Sequence, residues 1–182
     1  MTDERLEIYK RELLRWNDKV NLIGPEAKAN LEEHIREALQ AAEILKAAGE
    51  VLDFGSGGGL PAIPMAIASP NARFHLVEAD QKKWAFLKHA VRECRLNAVV
   101  YGDRLARVLT RLPADLRFSL VTSRAVGSPE EWLPSLAPHM APDGRAALFE
   151  GSADVRPIAH FRKAAEHRLA RGYLVTFHVE HA

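Results

Sequence analysis

The chain has a single cysteine in 182 residues. One thiol cannot build a disulfide framework, which fits a reducing compartment better than a secreted scaffold. Net charge is also lacking, since 25 basic and 24 acidic side chains leave a formal +1. No bulk field therefore draws the molecule to nucleic acid, and any basic surface must be local. Long hydrophobic runs are absent: the most apolar stretch, GLPAIPMAIA, is too short to cross a bilayer and carries two prolines. The opening MTDERLEIYK is charged and has no apolar segment of the kind a secretory signal needs. No repeat or low-complexity linker divides the chain. The expectation is one cytoplasmic domain, residues 1–182, with no membrane partner and an ordinary 47% apolar content.

What is present is concentrated in residues 51–64, VLDFGSGGGLPAIP. Val51, Leu52 and Phe54 around Asp53 read as a buried parallel strand ending in a carboxylate. Gly55, Ser56, Gly57, Gly58 and Gly59 follow as a tight loop in which a backbone can approach a ligand with no Cβ in the way. Leu60 and Pro61 open a helix whose first N–H groups face whatever the loop holds. The dinucleotide fingerprint needs a third glycine where Leu60 stands, so that match fails. G-x-G-x-G after D-x is instead the pattern of Rossmann-like S-adenosylmethionine-dependent methyltransferases. Their second acid belongs at the end of the next strand, and Glu78 stands there, about 20 residues beyond the loop. A flavin or nucleotide loop, or a glycine turn with no ligand, is the competing reading.

Around this stretch the chain alternates in a way that predicts a parallel sheet flanked by helices. Residues 1–48 form N-terminal helices: one over 3–19 and a second over about 26–48. The first has an apolar stripe of Leu6, Tyr9, Leu13, Leu14 and Trp16 opposite Arg5, Lys10, Arg11, Arg15 and Lys19. That basic face is either a phosphate-contacting patch or an ordinary solvated face interleaved with Glu4, Glu7, Glu12 and Asp18. His34, on or beside the inner face of the second helix, reads as a packing histidine. Residues 49–182 form the Rossmann-like core. Asp80 caps a helix to about Arg95 that carries Cys94, which reads as structural and unreactive. Ala98–Tyr101 is a third strand, and Asp103, Arg104 and Leu105 after it are candidates to line an adenine pocket. Phe118–Thr122 is the fourth strand, followed by the loop Ser123-Arg124-Ala125. Trp132, Leu133 and Leu136 mark a helix. Pro142-Asp143-Gly144 is a turn into a fifth strand, 145–149. A last helix is expected over about 153–170 and a closing strand over 173–179.

Ligands of open α/β sheets lie beyond the carboxyl ends of the strands, so the end of the fourth should face the methyl acceptor. It carries TSRAV, without the [D/N]-P-P-[Y/F] of amino-group methyltransferases, and Cys94 is poorly placed to serve as a cytosine-attacking thiolate. An acceptor with an available lone pair, such as guanine N7, needs neither device. Arg124 is the candidate catalytic residue, expected to orient the reactants by clasping a planar anion: the cofactor's carboxylate or an RNA phosphate. The alternative is a surface arginine capping the next helix. No metal site is expected.

Together, WNDKVNL at 16–22, His34-Ile35, DFGSGGGLPAIP at 53–64, Glu78 with Lys82-Lys83 and Phe86-Leu87, and TSRA at 122–125 resemble the RsmG (GidB) family. The resemblance implies a class I methyltransferase fold acting on guanine N7 of bacterial 16S ribosomal RNA. Its implied partners are ribosomal RNA or the 30S particle, and its cofactor is S-adenosylmethionine; a monomer is the separate expectation for the chain. By position it implies that Gly55 and Leu60 line the cofactor loop, that Arg104 and Leu105 meet adenine, and that Arg124 is the SRA arginine. The chain departs from the family at Glu37-Ala38, where an acid-serine pair is usual, and at Glu150, where a lysine is usual. Leu105 replaces a glutamate, and one closing strand is expected where the family has a pair. A cofactor- or partner-binding relative without activity, on the same fold, is the second class of function left open.

Overall fold

The structure, a computed structural model, describes residues 3–181. Seven strands form one sheet: β1 (Gly49–Phe54), β2 (Ala72–Val77), β3 (Ala98–Tyr101), β4 (Phe118–Arg124), β5 (Met140–Glu150), β6 (Phe161–Leu169) and β7 (Gly172–Val179). Their order is β3-β2-β1-β4-β5-β7-β6. The first five strands run parallel, with Asp53 opposite Leu76 on one side and Thr122 on the other. β7 joins antiparallel to β5, and β6 to β7. The order reverses between β1 and β4, and a crevice opens at the carboxyl ends where such a reversal occurs. This is the expected Rossmann-like architecture.

Eight further elements complete the fold: α1 (Glu4–Asn17), α2 (Pro25–Ala29), α3 (Leu31–Leu45), α4 (Ala62–Ala68), α5 (Gln81–Glu93), α6 (Leu105–Leu109), α7 (Pro129–Trp132) and a 3₁₀ segment, Leu133–His139. Asp80 caps α5 as expected, accepting from the N–H groups of Lys82 and Lys83. The N-terminal helices are part of one core rather than an appendage. Tyr9 and Leu13 of α1, and Ala38, Ala41 and Leu45 of α3, pack with Ile63, Met65, Phe74 and Leu76. A second core on the other face joins Leu52, Val121 and Leu148 to Leu105, Leu136 and Phe177. None of the described helices is long and apolar enough to cross a membrane.

Four expectations need correction. The helix expected over 153–170 is largely the strand β6, so the closing pair is present. Only its ends, Phe161 and Leu169, are buried, while Arg162 through Glu166 are exposed. An edge strand buries little, so the helix-favouring Lys163, Ala164, Ala165 and Glu166 are tolerated, and their charges guard the edge. The single helix expected over 26–48 is split at Asn30. The Asn30 side chain donates back to the Glu26 carbonyl at 2.9 Å and ends α2 before α3 begins. Pro142-Asp143-Gly144 lies within β5 as a register break rather than ahead of it, because a proline cannot donate to the ladder. The helix marked by Trp132, Leu133 and Leu136 is only one α turn followed by the 3₁₀ segment, which contains Pro138.

Candidate active site

The loop after β1 is built by backbone geometry. Gly55 and Gly57 have φ of +71° and +53°, a region costly to residues with a Cβ. The N–H groups of Gly55 and Ser56 both donate to the Val77 carbonyl, at 3.0 and 3.1 Å, folding the loop onto the end of β2. Glu78 then secures it: one carboxylate oxygen accepts from Gly57 N–H at 2.8 Å and the other from Asp80 N–H at 2.9 Å. Beneath the loop Asp53 is fully buried and accepts from the Thr122 hydroxyl at 2.6 Å. Burial pushes its carboxyl up to about 6, against the hydrogen bonds from Thr122 and Ser56.

The remaining glycines serve packing. A Cβ at Gly59 would come within 2.6 Å of Ile63 and 3.3 Å of Tyr9. A Cβ at Gly58 would come within 2.7 Å of Ile23. The WNDKVNL stretch explains the second contact: the Asn17 side chain accepts from the N–H groups of Leu22 and Ile23, both at 2.9 Å, and turns them onto the loop. At Gly57 a Cβ would meet only the Gly55 carbonyl oxygen, at 3.7 Å. That side of the loop faces open space.

The space is a cavity of about 520 Å³. It is lined by Gly55–Gly58 and Leu60 of the glycine loop, by Leu22, Ile23, Glu26 and Ala27, and by Arg124 and Ala125. Lys83, Arg171 and His34 line it as well. Of the residues singled out in the sequence, Gly55, Ser56, Gly57, Leu60 and Arg124 line this cavity. Asp53 and Gly59 support it from behind, and Glu78 reaches it through Gly57. Asp103, Arg104 and Leu105 lie outside it, at the carboxyl end of β3. That end adjoins Glu78, whose N–H donates to the Tyr101 carbonyl at 3.0 Å. Asp103 accepts from Arg104 N–H and pairs with Arg111 at 3.0 Å, Arg104 is exposed, and Leu105 is buried in the second core.

Arg124 does not cap a helix. Its Nη2 donates to His34 Nδ1 at 2.6 Å and to Glu37 Oε2 at 2.8 Å. The guanidinium lies 5.6 Å from the centre of the Phe149 ring. Nη1 is buried without a hydrogen-bond partner among the described residues. Glu37, itself buried, turns its other oxygen to Arg171 N–H at 2.6 Å, and the Arg171 side chain pairs with Glu26 and Glu33. His34 is thus a member of the site and not only a packing residue. The signal was present: His34 and Glu37 are polar side chains three positions apart on an otherwise apolar helix face. Arg171 was missed because the segment before it was expected to be a helix, whereas the tight turn between the paired strands β6 and β7 brings its N–H to Glu37.

Glu150, at the end of β5, is half-buried, and burial together with the nearby Glu130 holds its carboxyl above the usual range. The basic side chains of α1 are largely paired, Lys10 with Glu7 and Glu32, Arg15 with Glu12, and Arg5 with Asp3. Among the described residues no group of acids, histidines and cysteines has a metal-binding arrangement.

Residues 2–181 match the family described as rRNA small subunit methyltransferase G. The ribosomal RNA small subunit methyltransferase G of Gluconobacter oxydans is 37% identical over 151 residues, covering 82% of this chain and 75% of the relative. That of Paracoccus denitrificans is 38% identical, covering 81% and 76%. Among solved structures, the O-methyltransferase from Bacillus cereus in complex with SAH superposes with a TM-score of 0.68. It shares 15% identity and covers 98% of this chain and 92% of that one.

Proposed function

The chain belongs to the rRNA small subunit methyltransferase G (GidB) family, and from that premise we propose how its residues transfer a methyl group to guanine N7 of 16S ribosomal RNA. S-adenosylmethionine, when bound, supplies an electrophilic methyl on a sulfonium. The observation that carries the reading is the cradle at Gly57, where a Cβ would enter the cavity rather than protein. Gly55–Gly57, Leu60 and Glu78 hold the cofactor, with Asp53 setting the loop from below. Asp103, Arg104 and Leu105, next along the strand ends, take its adenine side.

Guanine N7 attacks through its own lone pair and has no proton to lose in forming the bond, so the site needs orientation more than a base. The residues around the cavity agree. His34 and Glu37 are engaged with Arg124, Glu78 with the loop, and Glu26 with Arg171. Arg124 lines the acceptor side, its charge balanced by Glu37, so that a positive charge growing on guanine does not meet a bare cation.

The RNA, free or within the 30S particle, places the protein in the cytoplasm. A monomer is supported by the surface, where Leu14 is the one large hydrophobic side chain exposed among the described residues. The test is methyl transfer from labelled S-adenosylmethionine to naked 16S RNA and to 30S subunits, followed by nucleoside analysis. Label recovered as N7-methylguanosine is expected. Label on another atom, or none on either substrate, overturns the assignment.

A further inference from the structure

The contact between Arg124 and His34 fixes the state of the histidine. An arginine nitrogen can only donate, so at 2.6 Å from Nη2 the Nδ1 of His34 must be the acceptor. The ring proton is therefore on Nε2, the nitrogen 3.7 Å from Glu26. The other candidate partner of Nδ1, Glu37 Oε2, is 3.5 Å away, too far to compete for a proton there. Glu37 Oε2 instead takes the second proton of Nη2 at 2.8 Å. Both protons of that nitrogen are thus committed within the protein, and Glu37 cannot turn away because Arg171 N–H holds its other oxygen at 2.6 Å.

The arrangement has a chemical use under the guanine-N7 reading, on which this inference rests. A free arginine fork reads guanine through O6 and N7 together. Such a grip would occupy the lone pair that must attack. With Nη2 filled on both sides, the end-on fork is closed and N7 stays available. We propose that His34 and Glu37 are positioning residues for the methyl transfer, with His34 acting as a neutral imidazole protonated on Nε2, and that they hold Arg124 in an orientation that cannot clasp the Hoogsteen edge of guanine. The charged groups facing His34 are Glu37 from its own helix, Glu26 from α2, Arg124 from β4 and Arg171 from the β6–β7 turn. One acid on each side of the ring and one cation at Nδ1 keep it in this tautomer.

Two measurements test the proposal. An asparagine amide oxygen can stand where Nδ1 stands, whereas glutamine reaches the position of Nε2. His34→Asn is expected to keep kcat within about 3-fold of the parent, while His34→Gln and His34→Ala lose about 10-fold or more in kcat with the KM for S-adenosylmethionine little changed. Equal losses in the asparagine and glutamine variants, or none in either, overturn the proposal. Nitrogen-15 NMR of His34 in the parent protein, in mildly alkaline buffer, is expected to show Nε2–H and a bare Nδ1. A proton on Nδ1 overturns it. The NMR arm needs no RNA and no variant, so it tests the tautomer separately from the functional assignment, against which a parent that fails to methylate guanine would count.

Discussion

The hydroxyl of Tyr9 donates to the carbonyl of Gly58 at 2.8 Å, so the first helix grips the glycine loop by its backbone, 49 positions away. The ring is fully buried, and with Ile63, which lies 2.6 Å from where a Cβ on Gly59 would stand, it packs against the loop at 3.3 Å from that point.

Tyr9→Phe keeps the ring and deletes the bond, leaving the buried Gly58 carbonyl unpaired. The expected cost is about 1–3 kcal/mol of stability, with weaker cofactor binding as the loop loosens. Thermal unfolding and calorimetric titration with S-adenosylmethionine check this together. Parent values in both would mean the bond does nothing for the loop.

Gly57→Val places a branched side chain in the cavity and forces φ of +53° on a β-branched residue. Cofactor binding is expected to be lost while the chain still folds, because no protein atom obstructs the new Cβ. Unchanged affinity by calorimetry would remove the loop from the cofactor site.

Asp53 sets a pH dependence. Its carboxyl titrates at about 6 folded, against an ordinary 3.8. A raised acid holds its proton more tightly in the native state, so stability is highest below the lower value, falls as pH rises between the two, and stays reduced above the upper one. The gap corresponds to about 3 kcal/mol at neutral pH. Asp53→Asn keeps an acceptor for Thr122 and removes the ionisation. The variant is expected to unfold at a higher temperature than the parent near pH 8, with the advantage fading below about pH 6. An advantage that grows with acidity would contradict this.

Cys94 donates to the Arg5 carbonyl at 3.5 Å, and burial pushes its thiol up to about 11. A thiol reagent at mildly alkaline pH should label it only as fast as the protein opens. Immediate stoichiometric labelling of the native chain would show an accessible thiolate and a mistaken placement.

The glycine-loop half of the candidate site could be read in the sequence because its information is local. Asp53, the glycines and Glu78 lie within 26 residues, and backbone conformation dictates their types. The acceptor half could not be read in the same way. Arg124 was legible from its place at a strand end, but its partners His34 and Glu37 come from α3, and Glu37 is held in turn by the N–H of Arg171. The strand pairing that sets Arg171 in a tight turn was missed because β6, an edge strand with few buried positions, carries the composition of a helix. Asn30 misled for a smaller reason: its side chain competes with the helical backbone in a way hydrophobic periodicity does not register.

The clasp of Glu37 on Arg171 spans 134 positions, and that distance sets an order of assembly. As the chain is made, the glycine loop, Glu78 and Tyr9 are all present long before the β6–β7 turn leaves the ribosome. Until that turn docks, Glu37 has no N–H for its second oxygen and can swing with Arg124. A nascent chain should therefore complete the glycine-loop side of the cavity first and the Arg124 side last.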